Sequence, residues 1–94
     1  MLLIDPPLWP GRRGRAVGRV FSHLVSDASF EELHAFAALL NMPPRAFERD
    51  HYDVPGELYD EAVRLGAEPV GCQELLRRLT ASGLRRPKHP RPAR

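Results

Sequence analysis

One cysteine, one tryptophan and one lysine stand among the 94 residues of this chain. A lone Cys72 cannot close an internal disulfide, and without a C-x-x-C or Cys/His finger spacing a structural zinc of the finger type is excluded. Long hydrophobic runs are also missing. The longest, Ala35 to Leu40, is about a third of the roughly 20 residues that a bilayer crossing needs. The apolar start Met1-Leu2-Leu3-Ile4 is broken at Asp5-Pro6-Pro7, too soon for a signal peptide, so no membrane role and a cytoplasmic location are expected. There is no H-E-x-x-H and no internal repeat. Gly11-Arg12-Arg13-Gly14 lacks the Lys-Ser/Thr ending of a phosphate loop and leads into no helix, which excludes a nucleotide triphosphatase of that type.

What is present fits one small domain. A chain of this length buries roughly 60–70% of the surface its unfolded form exposes, and with 43% apolar and 28% charged residues the body has enough hydrophobic content to fold. The net charge of +2 conceals a strong asymmetry. Residues 1–19 carry Arg12, Arg13, Arg15 and Arg19 against Asp5 alone, and residues 77–94 carry six arginines and one lysine with no acid, so the two ends total +10. Residues 20–76 hold eleven acids and three arginines, a net −8.

The pattern along the chain predicts a small α/β domain over residues 1–84, with a sheet of three to four strands and about three helices on one or both faces, and a disordered basic tail over 85–94. Leu2-Leu3-Ile4 reads as a strand that two prolines stop. Residues 11–19, rich in Gly and Arg, read as a mobile loop, and Val20 to Val25 as a second strand. Ser29-Phe30-Glu31-Glu32 has the spacing of a capping box and opens a helix with Phe30, Leu33, Phe36, Ala37 and Leu40 on its apolar face. Residues 46–54 are a third strand or an extended connection. Pro55 is expected to start a second helix that Gly66 stops, with Leu58, Ala62 and Leu65 inward. Ala67 to Val70 gives a last strand, in a parallel crossover, and Cys72 to Ser82 a third helix with Leu75, Leu76 and Leu79 inward.

Several blocks, in this order, carry a family resemblance: Asp5-Pro6-Pro7, residues 22–27 (Ser-His-Leu-Val-Ser-Asp), residues 32–37 (Glu-Leu-His-Ala-Phe-Ala), His51-Tyr52-Asp53-Val54 and Leu65-Gly66-Ala67. Over residues 1 to about 84 the chain resembles the domain of unknown function 4031 family of actinobacteria and their phages. The resemblance implies a bacterial or phage origin and brings no activity with it. The Arg-rich loop and the basic tail fall outside those blocks.

Histidine and aspartate concentrate in the same blocks. Asp5 ends the first strand, His23 and Asp27 flank the strand-to-helix turn, His34 lies in the first helix, and His51 and Asp53 bracket Tyr52. If the strands are parallel neighbours their C-terminal ends converge, and open α/β sheets place ligands there. Imidazole and carboxylate together suit zinc, manganese or iron(II). The expectation is a polar site of Asp5, His23, Asp27, His34, His51 and Asp53 that binds a divalent metal or a phosphate-bearing ligand and hydrolyses phosphoesters, with His23, His34, His51 and Asp53 as metal ligands. A plainer reading has His23 facing across its strand, His34 at the edge of the helix's apolar stripe, and Asp53 and Asp27 as helix caps.

A second functional reading is a noncatalytic nucleic-acid or protein interaction module. Arg12, Arg13, Arg15, Arg77, Arg78, Arg85 and Arg86 would neutralise phosphates while Trp9 stacks on a base. About six such contacts to duplex DNA would give a log–log salt slope near −5. The corresponding plain reading is a solvated tail that keeps a small protein soluble. Cys72 reads as an N-terminal helix residue with no base beside it. An exposed sheet edge leaves a homo-oligomer open.

Overall fold

A seven-residue strand, Val20–Ser26, organises the molecule by pairing along both of its edges. The computed structural model describes residues 1–10 and 19–86. In chain order the elements are β1 (Leu2–Ile4), β2 (Trp9–Pro10), β3 (Val20–Ser26), α1 (Phe30–Leu39), β4 (Phe47–Glu48), β5 (His51–Pro55), α2 (Tyr59–Leu65), β6 (Glu68–Pro69) and α3 (Cys72–Ala81). The sheet order is β4-β5-β3-β1-β6, with β2 also paired to β3. It is a mixed sheet of six strands, more than the three to four expected, because two two-residue strands, β2 and β4, have too few residues to show an alternating pattern.

The pairings β1–β3, β2–β3, β3–β5 and β4–β5 are antiparallel, and β1–β6 is parallel. Strands β1, β5 and β6 therefore point the same way, and α2 carries the chain from β5 over two intervening strands to β6. That is the expected parallel crossover. The expectation of parallel neighbours across the centre of the sheet is corrected, since β3 runs against both β1 and β5.

Pro6 and Pro7 stop β1 as expected, because neither can donate to the ladder. The chain kinks, with the Leu8 N–H donating to the Pro6 carbonyl at 2.8 Å, and returns to the same edge of β3 as β2. Ile4 pairs with Leu24 and Trp9 with Phe21, so two extra residues are accommodated in the kink. An even number leaves alternation intact, and Trp9 emerges on the same face as Asp5.

Helices cover both faces. Leu33, Phe36, Ala37 and Leu40 from α1 and its end, with Ala62 of α2, pack on Ile4, Leu24, Tyr52 and Val54. On the opposite face Leu75 and Leu79 of α3 meet Leu3 and Val25. Leu76, expected inward, is 44% exposed. Its position beside Leu75 turns it away from that cluster.

The cap of α1 is half as expected. Ser29 accepts from the Glu32 N–H at 3.0 Å, but the Glu32 carboxylate takes the Ser26 hydroxyl and the Met1 amine instead of reaching back to Ser29. The Ser29 N–H donates to Ser26 Oγ. Pro55 closes β5, and one turn of tighter helix over Gly56–Leu58 precedes α2, so the second helix begins four residues later than expected. Of the expected tail, Arg85 and Arg86 are held against the body, while residues 87–94 and most of the expected loop, 11–18, lie outside the described residues. Among the described residues no helix is long and apolar enough to cross a membrane.

The fully buried Leu33 tests the larger core: Leu33→Ala should lower unfolding free energy by about 2–5 kcal/mol, read as a lower urea midpoint with an unchanged slope.

Candidate metal centre

Register places the polar residues in line. Ile4 faces Leu24, and one step further along the Asp5 N–H donates to the His23 carbonyl at 3.2 Å; on the other edge of β3, His23 faces Asp53. Residues opposite one another in antiparallel strands share a face, with Cβ atoms about 4.5–5.5 Å apart. Asp5, His23 and Asp53 thus form a row across β1, β3 and β5, and His51, two residues before Asp53, shares that face. It is the face on which α3 packs.

Each histidine is oriented by its own buried carboxylate. Asp5, fully buried, accepts from the His23 main-chain N–H at 2.6 Å, lies 2.8 Å from His23 Nδ1, and accepts from the Trp9 indole N–H at 3.0 Å. Asp50, also buried, lies 3.0 Å from His51 Nδ1 and accepts from the Arg86 main-chain N–H at 2.9 Å. A carboxylate on Nδ1 fixes the ring and leaves Nε2 for a ligand, an arrangement typical of metal-binding histidines. His51 Nε2 is 3.0 Å from Asp53 Oδ1. The His23 and His51 rings meet edge to face, with centroids 5.2 Å apart.

One ligand atom each from His23, His51 and Asp53 lies within 4.8 Å of the others. A tetrahedral ion with bonds of about 2.0–2.1 Å holds its ligand atoms ~3.3 Å apart, so the set needs to draw in by at most about 1.5 Å. Burial disfavours a charge on His51, but Asp53 and Asp50 outweigh it and raise the pKa of the ring. Burial likewise pushes the Asp50 carboxyl up, and the Arg86 N–H and His51 reverse that, leaving it below the usual carboxylate value.

Beside these groups a cleft of about 380 Å³ opens between the sheet and α3. Asp5, Trp9, His23, Asp50 and His51 form one wall, Val25, Leu75, Leu76 and Leu79 an apolar one, and Arg49, Arg85, Cys72 and Gln73 complete the lining. Arg49 has φ 57°, uncommon for a residue with a side chain, at the tip of the β4–β5 hairpin. Its Nε is buried without a hydrogen-bond partner among the described residues.

Two expected members of the site lie elsewhere. His34 is on α1, across the sheet from His23, with Nδ1 2.7 Å from the Tyr52 hydroxyl and its ring against Phe47. The helix that carries it packs on the other face, so its place among the metal ligands is corrected. Asp27 is taken up by the Met1 amine at 3.1 Å and by Arg78 at 3.0 Å. Asp50 was missed: a turn acid beside His51 gives no sequence sign that it is buried. Of the cations expected to meet nucleic acid, Arg77 pairs with Glu74, Arg78 with Asp27 and Glu68, and Arg85 with Asp50, while the Arg86 guanidinium lies over the Phe30 ring. Trp9 is held by Asp5 with its ring 5.1 Å from His23. Arg12, Arg13 and Arg15 lie outside the described residues.

The model of a family described as "Protein of unknown function (DUF4031)" matches residues 2–82. No curated protein and no solved structure matches the chain.

The position of Asp27 has a pH consequence. Burial raises its pKa, but hydrogen bonds from the Met1 amine and Arg78 outweigh that and lower it. A lowered folded-state value gives stability that is present above the ordinary carboxylate pKa of about 4 and is lost as pH falls through the folded-state value. Asp27→Asn should remove this acid-limb component, about 1 kcal/mol or less for so accessible a pair, as measured by urea unfolding between about pH 2 and pH 6.

Proposed function

The chain belongs to the DUF4031 family, and we propose that it is a divalent-metal site protein that hydrolyses a small phosphoester. The observation that carries this reading is the pair of anchored histidines: two imidazoles, each held at Nδ1 by a separate buried carboxylate, gather with Asp53 so that one ligand atom of each lies within 4.8 Å of the others. Burying one carboxylate to orient one ring costs desolvation free energy. Two such arrangements side by side, next to Asp53, favour a ligand over a merely structural role.

Two nitrogens and one carboxylate suit zinc, manganese or iron(II). Three protein ligands leave a tetrahedral ion one position short, and the cleft beside the set gives water or substrate access to it. Water bound there would have its pKa lowered toward neutrality and become a nucleophile at physiological pH. Arg49 and Arg85 supply positive charge on the cleft wall for a phosphoryl group. The apolar surface of α3 would lie against the rest of the molecule, and a cleft of about 380 Å³ suits a small one.

Titrating Zn²⁺ or Mn²⁺ into chelator-treated protein should raise the melting temperature. At a hundredfold excess over the dissociation constant the stabilisation is about 2.7 kcal/mol, roughly 10 °C or more for a domain of this size. His23→Ala and His51→Ala should abolish the rise, whereas His34→Ala, on the other face, should leave it. A flat response to every divalent ion would sink the reading.

With metal bound, hydrolysis of bis(p-nitrophenyl) phosphate should be measurable and should be lost in Asp53→Ala. Metal binding with no turnover of any phosphoester would retain the site and remove the hydrolysis.

A further inference from the structure

We propose that the Arg85–Arg86 segment is a positioning strap for the metal centre, holding Asp50 so that Asp50 holds His51. The inference rests on the metal-site reading above. It concerns residues outside the family match, which ends at residue 82.

The sheet does not fix Asp50. It lies in the two-residue turn between Glu48 and His51, the residues that pair across the β4–β5 hairpin. The turn has an arginine at φ 57°, and the Asp50 N–H reaches only to the Glu48 carbonyl, at 2.6 Å. Neither Arg49 nor Asp50 is the glycine that such a turn favours. A non-glycine residue in this conformation persists only where its surroundings over-determine it.

Next to it, the Asp50 carboxylate is held at both ends. Oδ1 meets His51 Nδ1. Oδ2 accepts the Arg86 main-chain N–H at 2.9 Å, with Arg85 Nη1 at 3.4 Å, long for a hydrogen bond. The main-chain amide is thus the firmer contact. The Arg86 guanidinium sits 4.2 Å from the centre of the Phe30 ring at the start of α1, which pins the segment from the other side. The strap and His51 therefore compete for nothing on Asp50. Each fixes the oxygen the other does not use, and loss of the strap frees the carboxylate to rotate out to water and release the His51 ring.

The test separates the main-chain contact from the side chain. Arg86→Pro deletes the donor, and Arg86→Ala keeps it while removing the guanidinium. Isothermal titration of the metal-free full chain with Zn²⁺ should show affinity reduced about 10–100-fold by Arg86→Pro, the usual effect of losing a group that orients a ligand. Arg86→Ala, which keeps the amide donor but loses the contact with Phe30, should weaken binding less than Arg86→Pro does.

Hydrogen exchange on the wild-type chain gives an independent measurement should Arg86→Pro fail to fold. By thermodynamic reciprocity, a strap that strengthens metal binding is itself strengthened by the metal, so Zn²⁺ should slow exchange of the Arg86 amide by the same factor. Unchanged Arg86 exchange while Zn²⁺ binds, or equal affinity in wild type and a folded Arg86→Pro variant, overturns the strap alone. Failure of the wild-type chain to bind Zn²⁺ at all overturns the metal-site reading and the strap with it.

Discussion

The carboxylate of Asp5 is the interaction on which the sheet and the site both depend. It is sealed from water, and a charge in that position costs several kcal/mol unless its oxygens are used. Here they take a main-chain N–H from β3, the indole N–H from β2 and the imidazole of His23. The same group that orients a candidate ligand therefore stitches β2 to β1 across a break where two prolines interrupt the ladder. Fold and site cannot be altered separately at this position.

Asp50 plays the corresponding part for His51, but its surroundings differ in kind. The contacts of Asp5 come from two strands of one sheet, β2 and β3, whereas those of Asp50 come from the neighbouring His51 and a segment more than thirty residues further along the chain. One histidine inherits the rigidity of the sheet, and the other depends on a turn with a left-handed arginine. Both carboxylates lie on the same wall of the cleft, which α3 closes from the other side. One wall thus carries a firm anchor for one ring and a more adjustable anchor for the other.

Sequence periodicity made the larger elements legible. The capping serine, the apolar face of α1 and the stop at Gly66 are all local signals, and local signals survive translation into structure. The sheet order is not local. Runs of two residues such as Trp9–Pro10 and Phe47–Glu48 carry no period, and the hairpin between β4 and β5 lacks the glycine or asparagine that would mark it. For the site, His23, His51 and Asp53 were legible as residue types, but the reason they meet was not: they converge by cross-strand register in an antiparallel sheet, not at the ends of parallel strands. His34 has the same chemistry and sits in the same kind of sequence block, yet its helix packs on the other face. Only pairing information separates it from the others. Asp50 was illegible because burial of a turn acid depends on residues 85 and 86, which composition alone assigns to the tail.

The kink between β1 and β2 constrains how a chain of this kind can diverge. Because Asp5 and Trp9 must emerge on one face, the number of residues between them is constrained as well as their type: one inserted or deleted residue, unless absorbed by a second bulge, would turn the indole toward α1. Length in this segment is therefore as much a part of the fold as the two prolines, and a change of two residues would preserve the face where a change of one would not.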